Sequence, residues 1–139
     1  MEKEISVTAT SRDEWLLRMR RDGKNQTAGR VPISNSEQFE EFTIRPIVDV
    51  QIMMVLAQFR HFIKKFKPVF NAYKRKVQTD YVEEVLDHDT RIRNSMIASV
   101  VGMMTLEEYE VYASMKDEVN RRIIKVLGEK VSERVEELY

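Results

Sequence analysis

The sequence predicts an all-α fold: a body of three to four helices over residues 46–139 with a long C-terminal helix, behind an extended N-terminal arm over residues 1–45 that carries one short helix at 12–22. Three observations predict it. Apolar residues recur at steps of three and four through most of 46–139, the period of one buried helix face. Glycine and proline number only four and three, and beyond Pro46 only Pro68, Gly102 and Gly128 interrupt the chain. Two capping-box patterns, Ser11 with Glu14 and Thr105 with Glu108, mark helix starts, because the hydroxyl accepts from a free backbone N–H and the glutamate reaches back.

Within the arm, Glu4 to Ala9 alternates polar and apolar residues, which predicts a short extended segment. The capping box at Ser11 then opens a helix bearing Trp15, Leu16, Leu17 and Met19 that stops at Gly23, a plausible residue for a helix end. A helix of about ten residues is marginal alone and has to dock on something. Residues 23–36 read as a loop, with Val31 and Ile33 as their only large aliphatics. A loop of that length inside a domain is uncommon unless functional or mobile. Residues 37–44, anchored by Phe39, Phe42 and Ile44, fit either a helical turn or a short extended piece.

The body opens after Pro46 with the strongest helical period in the chain: Ile52, Val55 and Leu56, Phe59, Phe62 and Ile63, Phe66. Pro68 predicts a stop or a kink, since proline removes a backbone donor and clashes with the preceding turn. The stripe resumes through Phe70, Tyr73, Val77, Tyr81 and Val85, and again from Ile92 to Val101, ending at Gly102. Asp89 or Thr90 is the expected cap of that last segment. The Thr105 box opens a helix that can run to Leu138, a span of about 45–50 Å. A globule built from the remaining body is only about 30 Å across. Part of the helix is therefore expected to project, with Tyr112, Val119 and Val126 at heptad spacing and Met115 and Ile123 between them, and to need a helical partner.

Composition excludes several chemistries. The chain has no cysteine, so disulfides, thiolate nucleophiles and thiolate metal sites are absent. Only two histidines are present, His61 and His88. Glu84 and His88 share a helix face, but the Glu-x-x-His spacing of carboxylate-bridged bundles is missing, so no metal site is expected. There is no Gly-x-Ser-x-Gly elbow and no phosphate-cradling glycine loop. Neither an enzymatic activity nor a cofactor is expected. The longest uninterrupted apolar run, Ile52 to Ala57, has six residues, against the ~20 of a membrane span. The acidic N-terminus lacks the pattern of a secretory signal. Cytoplasmic or intravirion residence, without secretion or a transmembrane segment, is the expectation.

Charge separates candidate functions. Basic and acidic residues number 23 each, yet Val50 to Thr79 holds seven bases (Arg60, Lys64, Lys65, Lys67, Lys74, Arg75, Lys76) and no acid, while Asp80 to Asp89 holds five acids and no lysine or arginine. The basic block predicts contact with phosphate or with an acidic partner, in the latter case the acidic segment of the same or an adjacent copy. The aromatics interleaved with it, Phe59, Phe62, Phe66, Phe70 and Tyr73, lie on the apolar stripe and are expected in the core. Candidate interface residues are Trp15, Leu16, Met103, Met104, Tyr112, Val119, Ile123 and Val126, the methionines because flexible thioethers adapt to partner surfaces. The expected function is a non-catalytic structural or assembly subunit of a homo-oligomer or larger complex, its partners copies of itself or subunits of that assembly. Virus and phage particles contain small arm-bearing helical proteins of connector, ring or scaffold type, which makes such a particle one setting. The alternative is a nucleic-acid-binding accessory protein acting through residues 60–76.

Overall fold

A computed structural model of the chain describes the backbone of residues 2–21 and 35–139, with side chains for 11–20 and 35–139. The fold is all-α. Helix α1 spans Glu2–Arg21, α2 Ser36–Phe39, α3 Arg45–Phe66, α4 Arg75–His88, α5 Thr90–Val101, α6 Leu106–Ser114 and α7 Lys116–Ser132. A π-turn at Glu40–Ile44 joins α2 to α3, and short 3₁₀ turns occupy Phe70–Ala72 and Val135–Leu138. Helices α2 to α7 make a six-helix body, not the three to four that the apolar stripes predict.

The extra elements arise where a stripe continues but the backbone does not. Pro68 ends α3 cleanly, and Lys67 leaves the helical region at φ −147°. At Met115 the backbone turns out of the helix, at φ −136° and ψ 39°, dividing the expected 106–138 helix into α6 and α7. The chain still closes on a long helix, the 17 residues of α7, about 25 Å. Because of the break, Tyr112, Val119, Ile123 and Val126 all turn inward and are buried in the chain's own core. No projecting segment is left that needs a partner helix. The hydroxyl of Tyr112 bridges the break by donating to Asn120 Oδ1 at 2.8 Å.

The arm also departs from expectation. Residues 4–9 lie inside α1 and are not extended, and Ser11 is an interior residue of that helix, not its cap. The loop expected at 23–36, with the Gly23 stop, lies outside the described residues apart from Asn35 and Ser36. Asn35 caps α2, its side chain accepting from Gln38 N at 2.9 Å. Residues 37–44 are helical throughout, so Ser36–Phe66 forms one run of 31 residues, long and apolar enough by length and composition to cross a membrane. Within the fold its inner face, including Val48, Val55, Leu56, Phe59 and Ile63, is buried in the helical core. The π-turn sits where Pro46 cannot donate: Arg45 N–H reaches back five residues to Glu40 C=O.

Two predicted caps stand where the sequence puts them. Thr105 and Glu108 form the full capping box at the start of α6. Asp89, the single residue between α4 and α5, accepts from Ile92 N at 3.1 Å. The core lies where α3 and α7 meet, with α4 and α5 packed on both α7 and each other. Helix α1 packs on α3 and is held at the α5–α6 junction by polar contacts. Arg12 donates to the carbonyls of Met104 and Gly102 at 2.9 and 2.7 Å, and Leu106 N donates to Asp13 at 3.2 Å. Arg20, almost wholly buried, grips both carboxylate oxygens of Glu108 at 2.8 and 2.6 Å.

Candidate protein-interaction surface

The basic block does not form one stripe, because Pro68 divides it between the end of α3 and the start of α4. Its two arginines are engaged inside the chain. Arg60 donates through Nε and Nη2 to the Glu137 carbonyl at 3.0 and 2.8 Å. Arg75 reaches the Glu136 carboxylate at 3.2 Å and the Glu133 and Ser132 carbonyls at 3.2 and 3.4 Å. Arg75 therefore sits at the negative C-terminal end of α7, where the helix dipole favours positive charge, and Arg60 ties the 3₁₀ turn that follows it to α3. Lys76 pairs with Asp80 one turn on, at 3.3 Å. Lys67 lies 5.6 Å from the ring centres of both Tyr73 and Tyr81, and Lys65 lies 5.3 Å from that of Phe66. Lys64 and Lys74 are exposed and form no ion pair with a described residue.

A second charged node was not legible in the sequence. The π-turn directs Glu40 toward α7, where Lys125, Arg45 and Arg122 reach it at 3.1, 2.9 and 3.2 Å. Burial raises its pKa, but the three cations outweigh that, so the carboxyl sits below its ordinary value. At Glu108 burial likewise raises the pKa, and Arg20, the Thr105 N–H and the Thr43 hydroxyl outweigh it. Both nodes pin elements together. Neither Glu40 nor Glu108 lines either of the two larger surface grooves.

Among the described residues no group of three or more acidic or histidine side chains is placed to hold a metal ion. Two larger surface grooves differ in charge. One of about 500 Å³ between α4, α5 and α7 mixes Glu83, Asp87 and Glu129 with Arg93, Arg121 and Lys125, so its charges compensate one another. The other, about 550 Å³, lies between α3 and α5. Gln58 ties the two helices at one end: Ser95 Oγ donates to it at 2.9 Å, and it donates to Ser99 Oγ at 3.3 Å. Beyond that tie the small side chains of Ala57 and Ser95 leave the groove open, and Phe62 and Phe66 form an aromatic wall with ring centres 4.8 Å apart. His61 and Lys65 from α3 and Arg91 from α5 rim it. Its one acid, Asp89, is engaged as the α5 cap.

Phe66 corrects the expectation that the block's aromatics are core. Phe59 and Phe70 are buried, Phe62 is half-buried, but Phe66 is 53% exposed. Of the residues expected at an interface, Trp15 is 63% exposed, with Arg18 at 5.0 Å from its ring, and Met103 is half-buried. Leu16 and Met104 are buried, as are the four positions of α6 and α7 described above. The α3 residues of the groove, His61, Phe62, Lys65 and Phe66, carry a faint sequence signal: aromatics alternating with cations in the last turns before a proline. Arg91 carries none. The chain matches no protein-family model, no curated protein and no solved structure.

Proposed function

We propose that this chain is a non-catalytic assembly subunit, which builds a homo-oligomer or a larger complex by presenting the α3–α5 groove to a helical segment of another copy. The single observation that carries this reading is an open groove walled by Phe62 and Phe66 and rimmed by His61, Lys65 and Arg91, with Asp89, the α5 cap, as the one acid in its lining. A shallow open groove suits a helix face better than a small molecule, which needs a pocket enclosing most of its surface. Aromatics and arginine, here Phe62, Phe66 and Arg91, are also enriched at interfaces relative to the rest of a protein surface.

Sedimentation velocity of the full chain from micromolar to tens of micromolar tests the reading. Association is expected in the wild type and its loss in Phe66→Ser, which removes half of the aromatic wall without touching a buried side chain. A wild type that sediments as a 16.5 kDa monomer throughout, or a Phe66→Ser variant that associates unchanged, overturns it.

Nucleic-acid binding through residues 60–76 draws less support. Arg60 and Arg75 already face the C-terminal carbonyls, which leaves the exposed lysines dispersed over two helices. Retardation of single- and double-stranded nucleic acid across a salt series, compared with Lys64→Glu and Lys65→Glu, is its test. Binding that persists unchanged in those variants excludes it.

A further inference from the structure

The α3–α5 groove has an electrostatic and steric counterpart on the same chain. Helix α6 buries Glu108 and Tyr112 and turns its opposite face outward. On that face Leu106 is 54% and Tyr109 47% exposed, with Ala113 one turn further on. Residues 106, 109, 110 and 113 are spaced to share one helical face. Glu107 and Glu110 flank the apolar line, and α6 contains no lysine or arginine. An acidic helix with an exposed apolar ridge is thus set against a basic groove with exposed aromatics. From Val50 to the end of α3 there is no acid, and α5 contributes only Arg91 and Arg93. Lengths agree too: the nine residues of α6 span about 13 Å, and Ala57 to Phe66 along the groove span about the same.

A chain cannot seat its own ridge in its own groove. The groove is lined at the start of α5, by Arg91, Ile92 and Ser95, whereas α6 begins beyond the far end of that helix and contributes no residue to the lining. We infer that the occupant of the α3–α5 groove is the Leu106–Tyr109 ridge of a second copy, with Glu107 and Glu110 set against Lys65 and Arg91. This rests on the assembly reading above and specifies its contact. Groove and ridge are different surfaces, so the contact is heterologous. After docking, the pair still offers one free groove on one copy and one free ridge on the other, and association continues to a closed ring or an open filament.

Reciprocal charge reversal of the full-length chain tests it by sedimentation velocity at low salt. A groove variant (Lys65→Glu with Arg91→Glu) and a ridge variant (Glu107→Lys with Glu110→Lys) change only exposed side chains, and circular dichroism confirms that each is folded. Each variant alone is expected to sediment as a monomer. An equimolar mixture is expected to recover association, because each groove then meets a ridge of opposite charge, and so is the single chain carrying all four changes. The wild type is expected to grow past twice the monomer mass with rising concentration. If the groove variant is monomeric while the ridge variant associates as the wild type does, the assembly reading stands and the ridge as occupant is overturned. A mixture that stays monomeric, or a wild type that stops at a dimer, overturns it equally. A monomeric wild type overturns both.

Discussion

Replacing Arg20 by alanine tests whether a single buried ion pair fastens α1 to the body. The Arg20 side chain has no exposure, and it holds both oxygens of Glu108 at 2.8 and 2.6 Å, while Thr43 donates to one of them at 3.0 Å. Removing one partner of a buried pair costs about 3–5 kcal/mol when the other is left charged and enclosed. That cost has a ceiling, because the chain can release α1 and let water reach Glu108. Among the described residues of α1, what else holds it is modest. Burial of Leu16 contributes about 2 kcal/mol, and the bonds of Arg12 and Asp13 about 1 kcal/mol each. Ordering a helix costs about 1–2 kcal/mol per residue in backbone entropy before its own hydrogen bonds are counted. The expected result is therefore a loss of about 3 kcal/mol together with release of α1. Trp15, the sole tryptophan, lies on α1, so its fluorescence anisotropy reports docking directly while urea unfolding gives the stability. Glu108→Gln keeps the capping-box geometry without the charge, and its double-mutant cycle with Arg20→Ala is expected to show coupling of about 2 kcal/mol. Unchanged anisotropy with a stability loss under about 0.5 kcal/mol, the usual range for surface changes, would refute the assignment of α1's docking to this pair.

Acid sensitivity follows from the depressed carboxyls of Glu40 and Glu108. A carboxyl lowered by folding contributes stability that is full above its ordinary value and lost as pH falls through its folded value. Urea midpoints are therefore expected to fall from about pH 5 downward, and the slope to flatten in Glu40→Gln; an equally steep slope in that variant contradicts the assignment. Gly128→Ala is expected to stabilise by about 0.5–1 kcal/mol from helix propensity. The added Cβ meets Leu86 Cδ1 at 3.7 Å, an ordinary contact, so a lowered melting temperature would show that the site is tighter than its geometry. Arg60→Ala is expected to cost about 1–2 kcal/mol by releasing the Glu137 carbonyl, whereas Lys64→Ala changes stability by less than about 0.5 kcal/mol. Equal effects in thermal unfolding would contradict the division of the basic block into engaged and free cations.

Local signals in the sequence reach as far as local physics does. The Thr105 box and the Asp89 cap are readable because donor and acceptor lie three residues apart. The inward positions of α6 and α7 are readable because a buried stripe keeps its period. The partner of that stripe is not. A straight helix from Leu106 to Leu138 would leave apolar residues without cover, but a turn at Met115, a residue with no helix-breaking chemistry of its own, folds both segments onto the body. Arg20 and Glu108 stand 88 residues apart and no periodicity links them. Glu40 meets its cations because Pro46 widens the preceding turn, a consequence that shows only once α7 is packed beside it. Phe66 fits the α3 stripe by spacing, yet at the helix's last turn half of its surface faces solvent. The groove is not legible for the same reason: it is made by two helices, and no local pattern in either sequence shows that they leave a gap between them.

Zero net charge takes on a physical meaning once the internal pairs are set aside. Arg60 and Arg75 meet the C-terminal carbonyls, and Glu40 and Glu108 meet their own cations, so these charges bind the fold together and present little to solvent. Two of the faces that are left differ in sign: Lys65 and Arg91 rim the α3–α5 groove, and Glu107 and Glu110 lie on α6. In the proposed contact these two faces attract in one orientation and repel when like faces meet, which would select a register as well as a partner. Neutrality then governs growth. Each copy added to a head-to-tail array brings no net charge, so the array does not accumulate the self-repulsion that limits an association of strongly charged subunits. On the proposed reading, the equal count of acids and bases suits a subunit whose opposite faces meet repeatedly.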